Sequence, residues 1–359
     1  MLQFSTLVLH ILFAHNFSIT AYSINNRFLN FESLNTQEMK NVAIICGGFS
    51  SEFDISVKSA ENIQANFPDD FAAYIILFKK EGWFAKINEI EIPFDSRDMA
   101  FVLKGETVKM DLAIVYIHGD PGENGKVQAY LEMIDMSYVN SGPLASQLSF
   151  DKWYCNQFLK GFGFNVADSI YWTNANDIPT NKAIIDQLGL PVFVKPCDSG
   201  SSYGISKVNK EEDVQVAIKE AFKEGGTVII EGFLDGTEVT CGVYRSKEGL
   251  IALPLTEIVT ENDFFDFEAK YKGLSEEITP ARVSEQLTKE VQIISKNVYQ
   301  LLNLRSIARI DFMLVNGKPF IIEVNTTPGF SKESIVPKMI EATGKSMKEF
   351  WSEILEKEA

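Results

Sequence analysis

From Asn41 onward, short apolar runs alternate with polar breaks marked by glycine. Val42-Ala43-Ile44-Ile45-Cys46 is continuously apolar, and Gly47-Gly48-Phe49-Ser50-Ser51-Glu52 follows it. A run this short and this rich in β-branched residues predicts a buried strand ending in a turn. A helix is expected over Asp54 to Phe67, a second strand over Tyr74 to Phe78, and a hairpin-like strand around Trp83. Leu112 to Ile117 is again apolar throughout and ends at His118-Gly119-Asp120. Strand, glycine turn, helix, strand is the order of a parallel α/β sheet. Ligands in such sheets bind beyond the carboxyl ends of the strands. Glu52 and His118 each sit just past such an end, so both are expected to face one crevice. Gly47-Gly48 alone predicts only a turn, because the full dinucleotide fingerprint is missing.

The same rhythm continues in a second unit from Asn140. A helix is expected to start at Asp151-Lys152-Trp153, and Leu190 to Pro196 predicts a buried strand. Cys197-Asp198-Ser199-Gly200-Ser201-Ser202-Tyr203-Gly204 follows, then a strand from Ile205 to Val208. Small residues let backbone N–H groups close on phosphate oxygens, and the hydroxyls add donors. Lys195, just upstream, offers a point charge for phosphate. No P-loop pattern is present. A third unit opens with a strand at Thr227 to Ile230, then Val239 to Tyr244. A long aromatic and charged loop, Glu261 to Tyr271, has the character of a lid. Helices are expected over Ser284 to Leu302 and Ser346 to Lys357.

The densest signal lies near the C-terminus. Ala308 to Met313 and Phe320 to Gly329 read as two strands, and Asn316-Gly317 between them is a strong hairpin signal. Side chains at i and i+2 share a strand face. Asp311, Glu323 and Asn325 can therefore converge into a hard-oxygen site suited to Mg²⁺, an ion that also takes substrate phosphates. Apolar residues flank each of these polar positions, which disfavours a merely solvated hairpin.

Composition narrows the partners. The chain has 359 residues, 45% hydrophobic, enough for two or three domains. A net charge of −16 without any Lys/Arg-rich run argues against nucleic acid and anionic membranes. Cys46, Cys155, Cys197 and Cys241 are scattered without metal-ligand spacing, which fits a reduced, cytoplasmic enzyme. Two of the three histidines lie in the leader, so a histidine zinc site is not expected. Residues 1–38 lack the basic start of a secretory signal and the clean apolar length of a membrane span. The functional protein is expected to begin near Met39, with residues 1–38 an extension or a disordered tail. A signal peptide is the alternative.

The order His118-Gly, Lys195-Pro, Ser/Gly loop, Glu231 to Glu238, Glu268-Ala-Lys270-Tyr271, Arg309-Ile-Asp311 and Glu323-Val-Asn325-Thr-Thr-Pro-Gly329 resembles the ATP-grasp superfamily. Within it, the chain is similar to the D-alanine–D-alanine ligases, from about Met39 to the C-terminus. The resemblance implies an α/β ATP-grasp fold, two α+β subdomains gripping ATP, preceded by a Rossmann-like parallel α/β domain. The expected boundaries are 39–139 for the N-terminal substrate domain, then 140–226 and 227–359 for the two grasp subdomains, with a lid at 261–273.

It also implies the chemistry. One D-alanine carboxylate takes the γ-phosphoryl group of ATP, and the amine of a second D-alanine attacks the acyl phosphate. Asp311, Glu323 and Asn325 would hold two Mg²⁺, with Mn²⁺ as a substitute. Lys152 and Lys195 would contact the α and β phosphates, with Ser201, Ser202 and Lys270 also on the nucleotide side. Glu231, Phe233, Leu234 and Glu238 would line the adenine and ribose pocket. Gly232 departs from relatives that carry lysine there. Glu52 would hold the first D-alanine ammonium, with His118 nearby. Arg309 and the Gly329 N–H would form the oxyanion hole, and Ser334 and Lys270 would take the second carboxylate. Glu52, Ser201 and Tyr271 resemble a hydrogen-bonded trio that fastens the lid and favours an amino acid over a hydroxy acid. Phe265 and Phe267 stand where tyrosines are frequent. A homodimer is expected by the same likeness. Two alternatives stay open: a ligase joining a different acid and amine, and a non-catalytic nucleotide-binding relative. The second should have lost metal ligands or the oxyanion arginine, and this chain keeps Asp311, Glu323, Asn325 and Arg309.

Overall fold

The computed structural model describes residues 39–198, 204–260 and 275–358. The expectations for residues 1–38, for the loop hydroxyls Ser201 and Ser202, and for the lid with Lys270 and Tyr271 lie outside those residues. Three sheets carry the described chain.

The first sheet has seven strands in the order β6-β5-β4-β3-β2-β1-β7. These are β1 (Lys40–Gly47), β2 (Phe71–Lys79), β3 (Gly82–Ile87), β4 (Ile90–Asp95), β5 (Ala100–Leu103), β6 (Glu106–Lys109) and β7 (Leu112–Val115). Only β2, β1 and β7 run parallel. Strands β2 to β6 form an antiparallel meander, so the expected parallel sheet is a mixed one. The reason lies in the connections: two-residue turns can join only antiparallel neighbours. Lys80-Glu81, Asn88-Glu89 and Lys104-Gly105 are such turns, and Lys104 and Gly105 have φ of 52° and 88°. Along β1, Val42, Ile44 and Cys46 enter one core, and Ala43 and Ile45 enter another. Helix Phe53–Ala65 and the C-terminal helices cover the first face, and helix Lys126–Met133 covers the second. A run apolar at every position is what a strand buried on both faces requires.

The second sheet has the order β10-β9-β11-β8, with β8 (Ser169–Trp172), β9 (Val192–Pro196), β10 (Ser206–Val208) and β11 (Val228–Gly232). Strand β11 pairs with β9 and β8. It therefore completes the central sheet rather than opening the C-terminal unit, where the 226/227 boundary had put it. The third sheet runs β15-β14-β12-β16-β17, with β13 on β12. Its strands are β12 (Thr237–Ser246), β13 (Gly249–Ala252), β14 (Thr256–Thr260), β15 (Ser275–Ile278), β16 (Ile307–Val315) and β17 (Lys318–Asn325). Asn316 and Gly317, with φ of 49° and 74°, make the tight turn between β16 and β17. Strand β17 stops at Asn325, so Thr326 to Gly329 is loop, not the strand the sequence suggests. Helix Glu285–Leu301 packs its apolar face on the third sheet. Among the described residues, no helix is long and apolar enough to cross a membrane.

Candidate active site

The cleft between the second and third sheets opens into a second cavity at the end of the first sheet. With the open solvent at their mouths they span about 1020 Å³ and about 1070 Å³. Arg309, Glu323 and Ile335 line both. The two spaces therefore meet at one polar wall.

That wall is built by the β16–β17 hairpin. Arg309 pairs across the strands with Asn325, and Asp311 with Glu323. A bulge after Asp311 shifts the register so that Phe312 faces Ile321. Bulges re-aim side chains; here all four polar groups gather on one face, while Ala308, Ile310 and Phe312 fill the core behind. Arg309 clamps Asp311 bidentately, Nε to Oδ1 and Nη2 to Oδ2, both at 2.8 Å. Asn325 Nδ2 donates to Asp311 Oδ2 at 3.0 Å, and Thr240, opposite on β12, donates to Oδ1 at 2.5 Å. Glu323 Oε1 meets Lys152 Nζ at 2.9 Å, with the Lys152 side chain only 7% exposed. Burial pulls the Lys152 pKa down, but the Glu323 carboxylate outweighs it, and the ammonium is held above the ordinary lysine range.

The other end of the cleft carries Lys195, Glu231, Leu234 and Glu238. Lys195 forms an ion pair with Glu231 Oε2, and Asn156 Nδ2 donates to Glu231 Oε1 at 2.9 Å. The structure thus places Lys195 against Glu231, a contact the sequence did not suggest. Phe233 faces Phe193 at 6.1 Å between ring centroids, under the Lys207 ammonium at 4.7 Å. Gly232 has room for a side chain: a Cβ there would meet nothing closer than the Leu188 carbonyl at 3.5 Å.

In the second cavity, Glu52 and His118 come together as their places beyond β1 and β7 implied. Ser50 ties the two loops, its hydroxyl donating to the His118 carbonyl at 2.8 Å and accepting from the Glu52 N–H at 3.2 Å. The Gly47-Gly48 turn is more than punctuation. Both residues have φ near +97°, and a Cβ on Gly48 would lie 2.5 Å from Ile117. His118 is buried, with Nε2 3.1 Å from the Ser59 hydroxyl. Burial lowers its pKa, against the pull of Glu52. Gly329 and Ser334 line the opposite side. The Thr326–Gly329 loop is pinned by residues around the first sheet: Tyr116, just past β7, donates to the Pro328 carbonyl at 2.9 Å, and the Phe330 N–H donates to Ser59 on helix Phe53–Ala65 at 3.2 Å. A Cβ on Gly329 would press on Ser334 Oγ at 3.0 Å.

Sequence reasoning missed Thr240, Asn156 and Glu123. Asn156 had a signal, lying one helical turn after Lys152. Glu123 lines the second cavity, where its Oε2 accepts the Gly119 N–H at 2.7 Å. Burial, then the neighbouring Glu52, pushes its pKa up to about 8 from 4.5. Between those two values the folded protein holds a proton that the unfolded chain has lost, so this group's contribution to stability falls as pH rises through that window. Glu123→Gln keeps an acceptor for Gly119 and removes the titration. Its Tm should gain on that of wild type between about pH 5 and about pH 9. Parallel Tm profiles would show that Glu123 is ionised throughout.

Among the described residues, no three His, Cys, Asp or Glu side chains are grouped as metal ligands. The candidate set is two carboxylates and an amide, hard oxygen donors that fit Mg²⁺ shared with phosphate oxygens. Both Asp311 oxygens are engaged by Arg309, so metal and guanidinium must share that carboxylate.

Residues 41–141 match the family described as D-ala D-ala ligase N-terminus, and residues 158–356 match the D-ala D-ala ligase C-terminus. The chain belongs to the D-alanine–D-alanine ligase family. It is 44% identical over 322 residues to the D-alanine–D-alanine ligase of Azobacteroides pseudotrichonymphae genomovar. CFP2, covering 89% of this chain and 99% of that one. It is 43% identical over 311 residues to that of Porphyromonas gingivalis strain W83, covering 86% and 94%. Among solved structures it is similar to D-alanyl-alanine synthetase A from Vibrio cholerae, with a TM-score of 0.80, 28% identity and coverage of 89% and 98%. VanG D-Ala:D-Ser ligase from Enterococcus faecalis gives the same TM-score and identity, covering 89% and 99%. The fold is the ATP-grasp fold, with the mixed first sheet as its N-terminal ligase domain.

Proposed function

We propose that this protein is an ATP-dependent ligase that joins two D-alanines into D-alanyl-D-alanine through an acyl phosphate, for peptidoglycan precursor synthesis. The observation that carries the reading is the shared wall: one cavity suited to a nucleotide and one suited to small zwitterions meet at Arg309 and Glu323. A carboxylate is a poor electrophile. Its oxygen attacks the γ-phosphorus and ADP departs. The second amine attacks the activated carbonyl carbon, loses a proton, and phosphate leaves as the peptide forms.

Glu52 holds the first ammonium beside His118. Ser334 takes the second carboxylate with Lys270. Arg309 and the Gly329 N–H stabilise the tetrahedral oxyanion, where such donors are worth about 3–4 kcal/mol each. Lys152 and Lys195 steady the phosphates with Ser201 and Ser202. Glu231, Phe233, Leu234 and Glu238 seat adenine and ribose. Glu52, Ser201 and Tyr271 latch the lid. Asp311, Glu323 and Asn325 would hold Mg²⁺, or Mn²⁺ in its place, which when bound neutralises charge on the transferring phosphoryl group. Cytoplasmic location and a homodimeric state belong to the same reading. The four described cysteines are all free and buried, as a reduced compartment allows.

The test is D-alanine-dependent ADP release with the product identified by mass spectrometry, with D-serine as a competing second substrate. Dipeptide of two D-alanines is expected, lost on chelation of divalent metal and restored by Mg²⁺. A predominantly D-alanyl-D-serine product would move the specificity, and no D-alanine-dependent turnover would sink the reading.

A further inference from the structure

We propose that Asn156 is a positioning residue for nucleotide-base selection, fixing Glu231 so that the cleft takes a 6-amino purine and rejects a 6-oxo purine. This rests on the reading above that the base sits against Glu231. Glu231 is 5% exposed and Asn156 is 2% exposed. One carboxylate oxygen is held by the Lys195 ammonium and the other by the Asn156 amide at 2.9 Å. With each oxygen engaged, the carboxylate plane is fixed. An ionised carboxylate offers acceptors only. Its remaining lone pairs attract an exocyclic amine and repel the carbonyl oxygen of hypoxanthine.

Asn156 reaches Glu231 from a well-anchored element, the helix Lys152–Gly161. The Asp151 side chain caps it, accepting from Trp153 N–H at 3.1 Å and Tyr154 N–H at 3.0 Å. Lys152 N–H donates to the Cys197 carbonyl at 3.0 Å, and the Trp153 ring stacks on Tyr171 at 4.2 Å. Lys152 and Asn156 lie one turn apart on one face. The same helix thus presents Lys152 to the polar wall and Asn156 to the base end. Replacing the amide by an apolar group leaves one Glu231 oxygen without its donor, free to turn or to recruit water. A site that loses a defined polar contact loses discrimination with it.

The experiment compares ATP with ITP, which differ only in the 6-substituent and the adjoining ring proton. Kinetics are measured for wild type, Asn156→Leu, Asn156→Asp and Glu231→Gln, with Tm for each. Asn156→Leu should lower the ATP/ITP ratio of kcat/KM about tenfold, one pocket contact's worth of discrimination, with the loss falling on KM for ATP more than on kcat. Asn156→Asp keeps the shape, places a second carboxylate beside Glu231 and should lower the ratio as well, so the proposal remains testable should the leucine variant fold poorly. Glu231→Gln supplies an amide donor and should shift the ratio toward ITP. An unchanged ratio in both Asn156 variants, with Glu231→Gln shifted, overturns the role of Asn156 and leaves the base placement intact. A ratio unmoved by Glu231→Gln overturns the base placement itself.

Discussion

Replacing Arg309 with methionine lowers kcat by about 10²–10³-fold, the range for losing one oxyanion donor, and lysine in its place does not restore it. Arg309 is the one cation lining both cavities among the described residues, and its guanidinium is already oriented by two 2.8 Å bonds to Asp311. A planar fork can grip a carboxylate along one edge and still present N–H groups elsewhere; an ammonium on a flexible stem cannot do both. The loss should fall on kcat rather than on nucleotide KM, because Glu231 and Leu234 hold the other end of the cleft. Folding should survive, since Asp311 keeps its bonds from Thr240 and Asn325. Steady-state kinetics with Tm on the same preparations decide it. A lysine variant with wild-type kcat would overturn the need for a planar fork, and a methionine variant with wild-type kcat would remove Arg309 from the chemistry. A collapse of Tm in step with kcat would make it a structural residue.

Local signals were readable along the chain, and most long-range ones were not. The β16–β17 hairpin could be read because its turn is written in two residues, Asn316-Gly317, and its strands in β-branched runs on either side. The bulge after Asp311 could not, because a one-residue shift in pairing leaves no mark on composition. The placement of Glu52 and His118 was readable for a topological reason: in parallel neighbours the carboxyl ends lie side by side. Of the antiparallel meander only the hairpin strand around Trp83 was readable; the strands after it were missed although Asn88-Glu89 and Lys104-Gly105 carry turn chemistry, because they are short and mostly polar on one side. Strand β11 reads from the sequence as the start of the third unit because its partners, β8 and β9, lie far upstream, and pairing of that kind depends on tertiary context. The ion pairs were the least visible. Lys195 with Glu231 and Lys152 with Glu323 join residues on different elements, and nothing in the local sequence marks either pairing.

Glu323→Gln should cost at least ~100-fold in kcat, about 2.7 kcal/mol at 1.36 kcal/mol per decade, while shifting nucleotide KM far less. The substitution preserves size and removes one of the two carboxylates on the shared wall. It also withdraws the counter-charge of Lys152, whose side chain is 7% exposed and whose ammonium depends first on Glu323 to offset the burial penalty. Two effects are then superimposed, and a double-mutant cycle separates them. If Glu323 acts mainly through Lys152, then Lys152→Met with Glu323→Gln costs little more than either change alone. If Glu323 acts mainly as a metal ligand, the double variant loses the sum of the two. Calorimetric titration of Mn²⁺ onto the protein–ADP complex supplies a readout independent of turnover, and the metal reading requires weaker Mn²⁺ binding in Glu323→Gln with Lys152 intact. Unchanged Mn²⁺ affinity together with unchanged kcat at saturating Mg²⁺ would take Glu323 out of the metal site and leave it as the partner of a buried lysine.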